Sequence, residues 1–248
     1  MGKLRKPFQG VWNIIRFNWH FYIIAFVIIF GSFLAIPILG ENLQFVGKIF
    51  IFIALITILV SLIVSWCIYD LSGFYRLEWL NTLDIEKESK LINIHAGFDE
   101  TSKLLKEKYP NCELHIFDFY NPEVHTEVSI KRARKAYPSL PETKSIKTDS
   151  LDLADNSVDV VFLIFSAHEI RDFNERLLFF KELKRILKPP GKMIVTEHLR
   201  DVPNFIAYSA SFFHFFTLKS WLKIFNQSDF KIEKQIKFTP FVNTFILK

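Results

Sequence analysis

The sequence predicts an α/β domain with a mostly parallel sheet wrapped by helices, preceded by a transmembrane helical hairpin. Residues 21–39 and 49–68 are predominantly apolar and carry no charged side chain. Each block holds about 20 residues, enough for a helix to cross a hydrocarbon core of about 30 Å. From residue 91 onward, short apolar strand patterns alternate with helical patterns, which is typical of parallel sheets with helices on both faces.

This pattern divides the chain into three segments. We expect a membrane anchor over residues 1–70, a juxtamembrane segment and linker over 71–90, and a folded domain over 91–248. The apolar residues of the stretch 70–83 are spaced so that one face would either lie on the bilayer or cap the domain. The charged residues from Asp84 to Lys90 are interpreted as the linker.

The charges that flank the two apolar blocks predict their orientation. Basic residues precede the first block (Lys3, Arg5, Lys6 and Arg16), and Arg76 follows the second. The intervening loop offers one acid and one base, so both termini and the domain are expected in the cytoplasm. A cleaved signal peptide followed by a single anchor is the alternative, but the first apolar run is long for a signal sequence.

Composition limits the partners. The formal net charge of +5 is explained by attraction to anionic lipid headgroups, so we expect the bilayer as a partner and no nucleic acid. Cys67 and Cys112 lie in different segments and are not expected to pair, in keeping with a reducing compartment. The sequence leaves the oligomeric state open.

Seven strands and five helices are predicted in the domain. The strand patterns lie at 91–95, 113–117, 145–147, 158–165, 192–197, 230–237 and 241–247. The helical patterns lie at 100–109, 122–137, 173–187, 205–216 and 220–226. The helix over 173–187 has apolar residues at helical spacing and is followed by Pro189-Pro190-Gly191, which stops it.

One stretch resembles a known family. Residues 149–170 read DSLDLADNSVDVVFLIFSAHEI, and residues 174–198 read NERLLFFKELKRILKPPGKMIVTEH. This is similar to the class I S-adenosylmethionine-dependent methyltransferases that act on small molecules and lipids. The matching positions are Asp155, Ser157, Asp159, Leu183, Arg185, Leu187, Lys188, Pro189 and Gly191. The resemblance covers about two thirds of the chain, and it implies a seven-stranded, doubly wound, Rossmann-like methyltransferase sheet.

The resemblance also implies a cofactor, S-adenosylmethionine, and residues that hold it. In the family a glycine-rich turn follows the first strand; here the turn keeps only Gly97, whereas His95 and Asp99 replace the outer glycines and Asn93 replaces an acid. Two alternatives follow: a divergent working site, or a fold that has lost its cofactor. By family position, Asp118 would accept from the ribose hydroxyls and Asp149 from the adenine amino group. The full set of implied cofactor residues is His95, Gly97, Asp118, Phe119, Asp149, Ser150 and Ser166.

Polar residues after two strands are candidates for the reaction itself. His168 and Glu169 follow the fourth strand and His198 follows the fifth, so each is a candidate base or orienting group. The alternatives are that His168 caps a helix or packs, and that residues 197–201 form a salt-linked loop around Arg200.

Two further histidines are not expected to have a chemical role. His214, in a Phe-rich stretch, is expected to be a packed residue. No metal site is expected, because the spacing of Glu123, His125 and Glu127 would scatter them around a helix and no further ligand completes a set.

Together these features predict a membrane-anchored methyltransferase. The anchor and the 28 phenylalanines favour a lipophilic small-molecule or lipid acceptor. A non-catalytic, membrane-tethered scaffold that keeps the fold is the main alternative, supported by the altered glycine turn. A methyltransferase that modifies a membrane protein is a third hypothesis.

Overall fold

The computed structural model describes residues 5–83 and 85–248. Lys3, which belongs to the predicted basic flank, and Asp84, the first residue of the predicted linker, lie outside the described residues.

Three helices form the N-terminal part: α1 (Gln9–Phe17), α2 (Trp19–Ala35) and α3 (Glu41–Trp66). Helix α2 buries none of its side chains, and α3 buries only Ser65. Large apolar side chains such as Phe26 and Phe52 are about two thirds exposed. Length and composition therefore make the helical stretches Trp19–Ile38 and Glu41–Arg76 candidates for membrane spans.

Helix α3 runs directly into a cap on the domain. It continues as a turn of π-helix over Cys67–Leu71, followed by short 3₁₀ turns over Phe74–Arg76 and Glu78–Thr82. The apolar side chains of this segment are buried in one cluster with residues of the sheet: Ile68, Phe74, Leu77, Trp79, Leu80 and Leu83. Of the two expectations for this face, the structure thus favours the cap over a position on the bilayer.

The domain is built on one seven-stranded sheet. Its strands are β1 (Lys90–His95), β2 (Glu113–Asp118), β3 (Lys144–Ser145), β4 (Val158–Ile164), β5 (Leu187–His198), β6 (Ile232–Thr239) and β7 (Val242–Leu247). The order is β3-β2-β1-β4-β5-β7-β6, and β7 runs antiparallel to both of its neighbours. This confirms the predicted mostly parallel, doubly wound sheet.

Helices and the cap cover the two faces of the sheet. The helices of the domain are α4 (Ser102–Lys108), α5 (Val128–Ala136), α6 (Phe173–Ile186), α7 (Val202–Tyr208) and α8 (Leu218–Gln227). On one face, Phe179 and Phe180 of α6 pack with Trp221 and Phe225 of α8. On the other face, the cap and Leu105 of α4 form the second cluster. Each fully buried side chain of this size contributes about 1.5–3 kcal/mol of transfer free energy.

Two predicted helices are shorter than expected. The helix predicted over 122–137 begins only at Val128, because side chains before it bond to the local backbone. The side chain of Asn121 accepts from the Glu123 N–H, and the His125 ring accepts from the Asn121 N–H. The helix predicted over 205–216 divides at Ser209, whose φ of 49° ends α7 and starts a 3₁₀ segment, Ser209–His214.

Two strands also differ from expectation. The predicted strand 145–147 is reduced to Lys144–Ser145, which pairs with the end of β2. Strand β5 begins at Leu187 rather than 192, because Leu187 pairs with Val158 of β4; residues 188–191 form an irregularity before pairing resumes between Lys192 and Val160. A Cβ on Gly191 would lie 2.9 Å from the Asp159 carbonyl oxygen, so the two strands approach closely at that glycine.

Candidate active site

The carboxyl ends of the parallel strands β1, β2, β4 and β5 meet at one edge of the sheet. In open α/β sheets, ligands bind at this edge, near the point where the strand order reverses. Here β1 lies between β2 and β4, so the reversal falls beside His95. The residues at the four strand ends therefore form the candidate active site.

The turn after β1 is fixed by Gly97 and by the residues that replace the family's outer glycines. Gly97 has a φ of +88°, and a Cβ there would lie 2.7 Å from Arg134 Nη1. Nδ1 of His95 accepts a 3.2 Å hydrogen bond from the Gly97 N–H. Asp99 Oδ1 accepts from the N–H groups of Thr101 and Ser102, each at 2.9 Å, where α4 begins. The turn is thus held by side chains instead of being opened by glycines.

Asp118, the acid at the end of β2, is buried and already has partners. Its Oδ1 accepts from the Tyr120 N–H at 2.9 Å, and its Oδ2 accepts from Arg134 Nη1 at 2.5 Å. The Arg134 guanidinium also stacks over the Tyr120 ring, and His95 Nδ1 lies 3.7 Å from Asp118 Oδ1. Arg134, which is one third exposed, also lies beside Gly97, so it occupies space that a ligand of Asp118 in this hollow would need.

The other predicted cofactor residues are placed differently from one another. Ser166 is buried, and its Oγ donates to the Ile94 carbonyl at 2.8 Å, which ties β4 to β1. Phe119 is buried against the core and makes aromatic contacts with His125 and Phe179. Asp149 and Ser150 are exposed. The structure therefore places His95, Gly97 and Asp118 close together. It leaves Asp149 and Ser150 on the surface.

These residues fit a nucleoside cofactor with one rearrangement. A buried carboxylate stands at the end of β2 beside a turn whose glycine cannot be replaced without a clash. Nε2 of His95 is buried and has no hydrogen-bond partner among the described residues, so a polar group is free to face the same hollow. The rearrangement is the movement of Arg134 away from Asp118.

A second cluster lies beyond the ends of β4 and β5. His168 Nδ1 lies 2.6 Å from Glu197 Oε2, and its Nε2 lies 3.3 Å from Glu169 Oε1. His214 joins the cluster through its Nε2, 3.5 Å from the same Glu169 oxygen, and its Nδ1 lies 3.2 Å from Glu127 Oε1. Both predicted residues after β4 are therefore in a polar network, together with three residues that sequence reasoning did not assign a role.

Burial and charge act in opposite directions on this cluster. Burial lowers the pKa of His168, but the carboxylates of Glu197 and Glu169 outweigh it and raise that pKa to about 10. Burial raises the pKa of Glu169, but hydrogen bonds to His168 and His214 hold it well below its usual range. The two carboxylates thus favour the protonated form of His168.

His198 is packed rather than open to a substrate. Burial lowers its pKa to about 4, so its ring is neutral. Its Nδ1 donates to the Phe241 carbonyl at 2.9 Å, and its Nε2 accepts from the Tyr69 hydroxyl at 2.8 Å. The ring is stacked between Phe165 and Phe215, with centroids 5.0 and 4.9 Å away. Both nitrogens have protein partners, which argues against the predicted role as a base.

In the loop after β5, the charged side chains of Arg200 and Asp201 bond to backbone groups. Arg200 donates to the carbonyls of Phe213 and Phe215, and Asp201 caps α7 by accepting from the Asn204 N–H. Arg200 thus forms no ion pair with the described residues, which differs from the alternative of a salt-linked loop around it; the ion pair of residues 197–201 is that of Glu197 with His168. Glu123, His125 and Glu127 precede α5, so the helical spacing from which their scattering was predicted is not present; His125 bonds to Asn121, and Glu127 contacts His214.

A large cavity lies elsewhere. It has a volume of about 790 Å³ and is lined by the segment at Arg5–Phe8, the cap and the end of α4. It contains neither the Gly97 turn nor Asp118. The cavity is therefore separate from the strand ends where the candidate site lies.

Comparisons with known proteins define the class of this fold. A methyltransferase-domain family model matches residues 96–195. A S-adenosylmethionine-dependent methyltransferase of Aquifex aeolicus is similar in structure, with a TM-score of 0.53, 16% identity, and coverage of 72% of this chain and 93% of that one. A protein of Pyrococcus horikoshii has a TM-score of 0.52 and 18% identity, covering 71% and 89%. The domain therefore has the methyltransferase fold that the sequence predicted.

A relative of known activity matches over a shorter part of the chain. The demethylmenaquinone methyltransferase of Thermotoga maritima is 27% identical over 142 residues, which is 56% of this chain and 55% of that protein. The chain thus aligns with about half the length of this relative.

Proposed function

We propose that this chain is a membrane-anchored, S-adenosylmethionine-dependent methyltransferase that acts on a lipophilic acceptor. The observation that carries the proposal is the buried Asp118 beside the Gly97 turn, within a region matched by a methyltransferase-domain model. The similarity to S-adenosylmethionine-dependent methyltransferases supports this cofactor.

The cofactor, when bound, supplies an electrophilic methyl group on a sulfonium centre. Asp118 accepts hydrogen bonds from the ribose hydroxyls once Arg134 has moved, because a carboxylate can accept from two hydroxyls at once. The backbone at Gly97 allows close approach of the ligand, and His95 offers its free Nε2 to the same hollow. Phe119, Asp149, Ser150 and Ser166 complete the proposed cofactor set.

The acceptor is proposed to approach the ends of β4 and β5. His168 and Glu169 lie there, and hydrogen-bonded partners balance their charges. We therefore assign them the role of orienting the acceptor. Alignment of the attacking atom at about 3–3.5 Å supplies much of the catalysis in such displacements. His198 supports this wall by packing and takes no part in proton transfer.

A lipophilic acceptor is supported by apolar surface next to this cluster. Helix α7 contacts α3 and exposes Val202, Phe205 and Ile206, and Phe213, next to His214, is 61% exposed. An acceptor dissolved in the bilayer would reach the cluster along this surface. The match to a demethylmenaquinone methyltransferase, whose name gives a lipophilic quinone as its acceptor, points the same way. On this proposal, α2 and α3 span the membrane, and the termini and domain are cytoplasmic.

The binding test uses the full chain in detergent. Calorimetric titration with S-adenosylmethionine is expected to show one site, and Asp118→Asn to weaken it about tenfold or more, since a charge-assisted acceptor is lost. Asp229→Asn is the matched control: it makes the same chemical change at an exposed left-handed position that Asn tolerates. An unchanged dissociation constant in Asp118→Asn would remove Asp118 from the site.

The acceptor test uses a methyl-labelled cofactor and membranes of the host. Label that extracts into organic solvent supports a lipophilic acceptor. Label that stays with protein after extraction contradicts it and favours a methyltransferase of membrane proteins.

A non-catalytic scaffold is the second candidate, because Arg134 and the Tyr120 N–H already occupy the oxygens of Asp118. Absence of both heat and thermal stabilisation at millimolar S-adenosylmethionine would favour this function.

A further inference from the structure

The cluster beyond β4 and β5 has the composition and geometry of a metal site. His168, Glu169 and His214 each direct one ligand atom into a common space, and the three atoms lie within 4.8 Å of one another. Glu169 Oε1 is the shared neighbour, 3.3 Å from His168 Nε2 and 3.5 Å from His214 Nε2. We propose that these three side chains bind a divalent first-row transition-metal ion, such as Zn²⁺.

The ligand types select this class of ion. Two imidazole nitrogens and one carboxylate oxygen suit Zn²⁺ and its first-row neighbours, whereas Mg²⁺ and Ca²⁺ prefer oxygen ligands alone. Three protein ligands leave at least one coordination position open, which is the arrangement of catalytic rather than structural zinc sites.

The surroundings of the two histidines carry the argument further. A histidine that binds metal through one nitrogen commonly donates from the other to a carboxylate, which fixes the ring. Here Nδ1 of His168 lies 2.6 Å from Glu197 Oε2, and Nδ1 of His214 lies 3.2 Å from Glu127 Oε1. Both rings are therefore oriented so that Nε2 faces Glu169. Glu197 is itself held, because it is fully buried and also accepts from the His168 backbone N–H.

The Arg171 side chain links the backbone at the two histidines. Arg171 Nη1 donates to the His168 carbonyl at 3.0 Å and to the His214 carbonyl at 2.5 Å. This joins the turn after β4 to the 3₁₀ segment before α8, 43 residues further along the chain. Three carboxylates, those of Glu127, Glu169 and Glu197, surround the two imidazoles, and a divalent cation would take the place of the proton that His168 otherwise holds between them.

The position of the cluster suggests what the open coordination site does. It lies at the carboxyl end of β4, where the acceptor approaches in the proposed function, and this part of the inference depends on that function. A metal ion held there would bind a hydroxyl or phenol oxygen of the acceptor and lower its pKa, so that its proton would be released to water before methyl transfer. The metal site would thereby activate the acceptor, a role that the packed His198 cannot take as a base.

Metal binding is tested directly on the full chain in detergent, after removal of metals with a chelator. Titration with Zn²⁺ is expected to show one equivalent bound, and Co²⁺ to give the visible absorption of a low-symmetry site. His214→Gln and Glu169→Gln should each weaken Zn²⁺ binding about a hundredfold or more. Glu127→Gln, which removes only the orienting carboxylate, should weaken it about tenfold.

The matched control is His115→Gln. His115 also pairs with a glutamate, Glu113 at 2.8 Å, but on an exposed strand away from the cluster, so its loss should leave Zn²⁺ binding unchanged. The thermal midpoint of each metal-free variant shows that it is folded. No stoichiometric binding by the wild-type chain, or binding that neither His214→Gln nor Glu169→Gln weakens, overturns the metal site.

The metal site and the proposed function fail separately. A chain that binds S-adenosylmethionine but not Zn²⁺ contradicts only the metal site, and its cluster is then a hydrogen-bonded ion-pair network. A chain that binds Zn²⁺ but no S-adenosylmethionine contradicts only the methyltransferase.

Discussion

Replacement of Arg134 by glutamine is expected to tighten binding of S-adenosylmethionine. Arg134 donates to Asp118 Oδ2 at 2.5 Å, and this oxygen is one that the ribose hydroxyls would use. A cofactor that enters the hollow beside Gly97 competes with this ion pair for space and for the same oxygen. Removal of the guanidinium therefore removes a competitor, and it also removes a positive charge near the cationic sulfonium.

The magnitude follows from the burial of the two groups. A hydrogen bond between charged groups contributes about 1.5–3 kcal/mol. The Asp118 side chain is 9% exposed, but that of Arg134 is 33% exposed, so solvent screening reduces the gain to about 1 kcal/mol. The dissociation constant should then fall about fivefold.

The assay is calorimetric titration of the detergent-solubilised chain with S-adenosylmethionine and with S-adenosylhomocysteine. The gain should be larger for the first, because only it carries the sulfonium charge. Arg132→Gln is the matched control, since Arg132 lies on the same helix but bonds to the Phe17 carbonyl and His20. An unchanged or weaker affinity in Arg134→Gln would refute the competition and indicate that Arg134 itself contacts the ligand.

Three further substitutions test the turn, the cap and the buried imidazole. Gly97→Ala should lower the thermal midpoint, because a residue with a Cβ is strained at φ +88°; unchanged unfolding would contradict this. Leu80→Ala should cost about 2–5 kcal/mol of unfolding free energy in denaturant titrations, because Leu80 is fully buried in the cap; a loss below 1 kcal/mol would place the segment off the domain. His198→Gln should flatten the acid dependence of stability: the pKa of His198 is lowered to about 4, so the wild type loses up to roughly 3 kcal/mol as pH falls from about 6.5 to 4. Parallel stability curves for the wild type and His198→Gln would contradict the last prediction.

Two controls accompany these substitutions. Gly31→Ala adds a methyl group where no atom lies within 4 Å, so it should leave both stability and binding unchanged. Leu71→Ala removes an exposed side chain beside the cap and should change the unfolding free energy by less than about 0.5 kcal/mol.

The fold could be predicted from the sequence because its strands and helices have clear local patterns of apolar residues. The apolar run of β4 and the amphipathic pattern of α6 fall within a residue or two of their observed bounds. The start of α5 could not be predicted in this way, since it depends on bonds that Asn121 and His125 make to nearby backbone. Helix propensity does not include such competition.

The candidate site was only partly accessible from the sequence. Gly97 and Asp118 were found through a family motif, and the structure places them together. Arg134 could not be assigned, because its contact with Asp118 depends on how α5 folds back over β2. His214 was expected to be a packed residue because phenylalanines surround it in the sequence. That local pattern does not indicate its contact with Glu169, 45 residues earlier.

The continuity between α3 and the cap has a practical consequence for anyone seeking a water-soluble fragment. A truncation that starts after Leu71 would discard Ile68, which is fully buried, and Tyr69, whose hydroxyl is the donor to His198. The shortened protein would expose to water the part of the sheet that Ile68 and Tyr69 now cover. Solubility is therefore better sought by exchanging the outward-facing leucines, isoleucines and phenylalanines of α2 and α3 for polar residues than by deleting the helices.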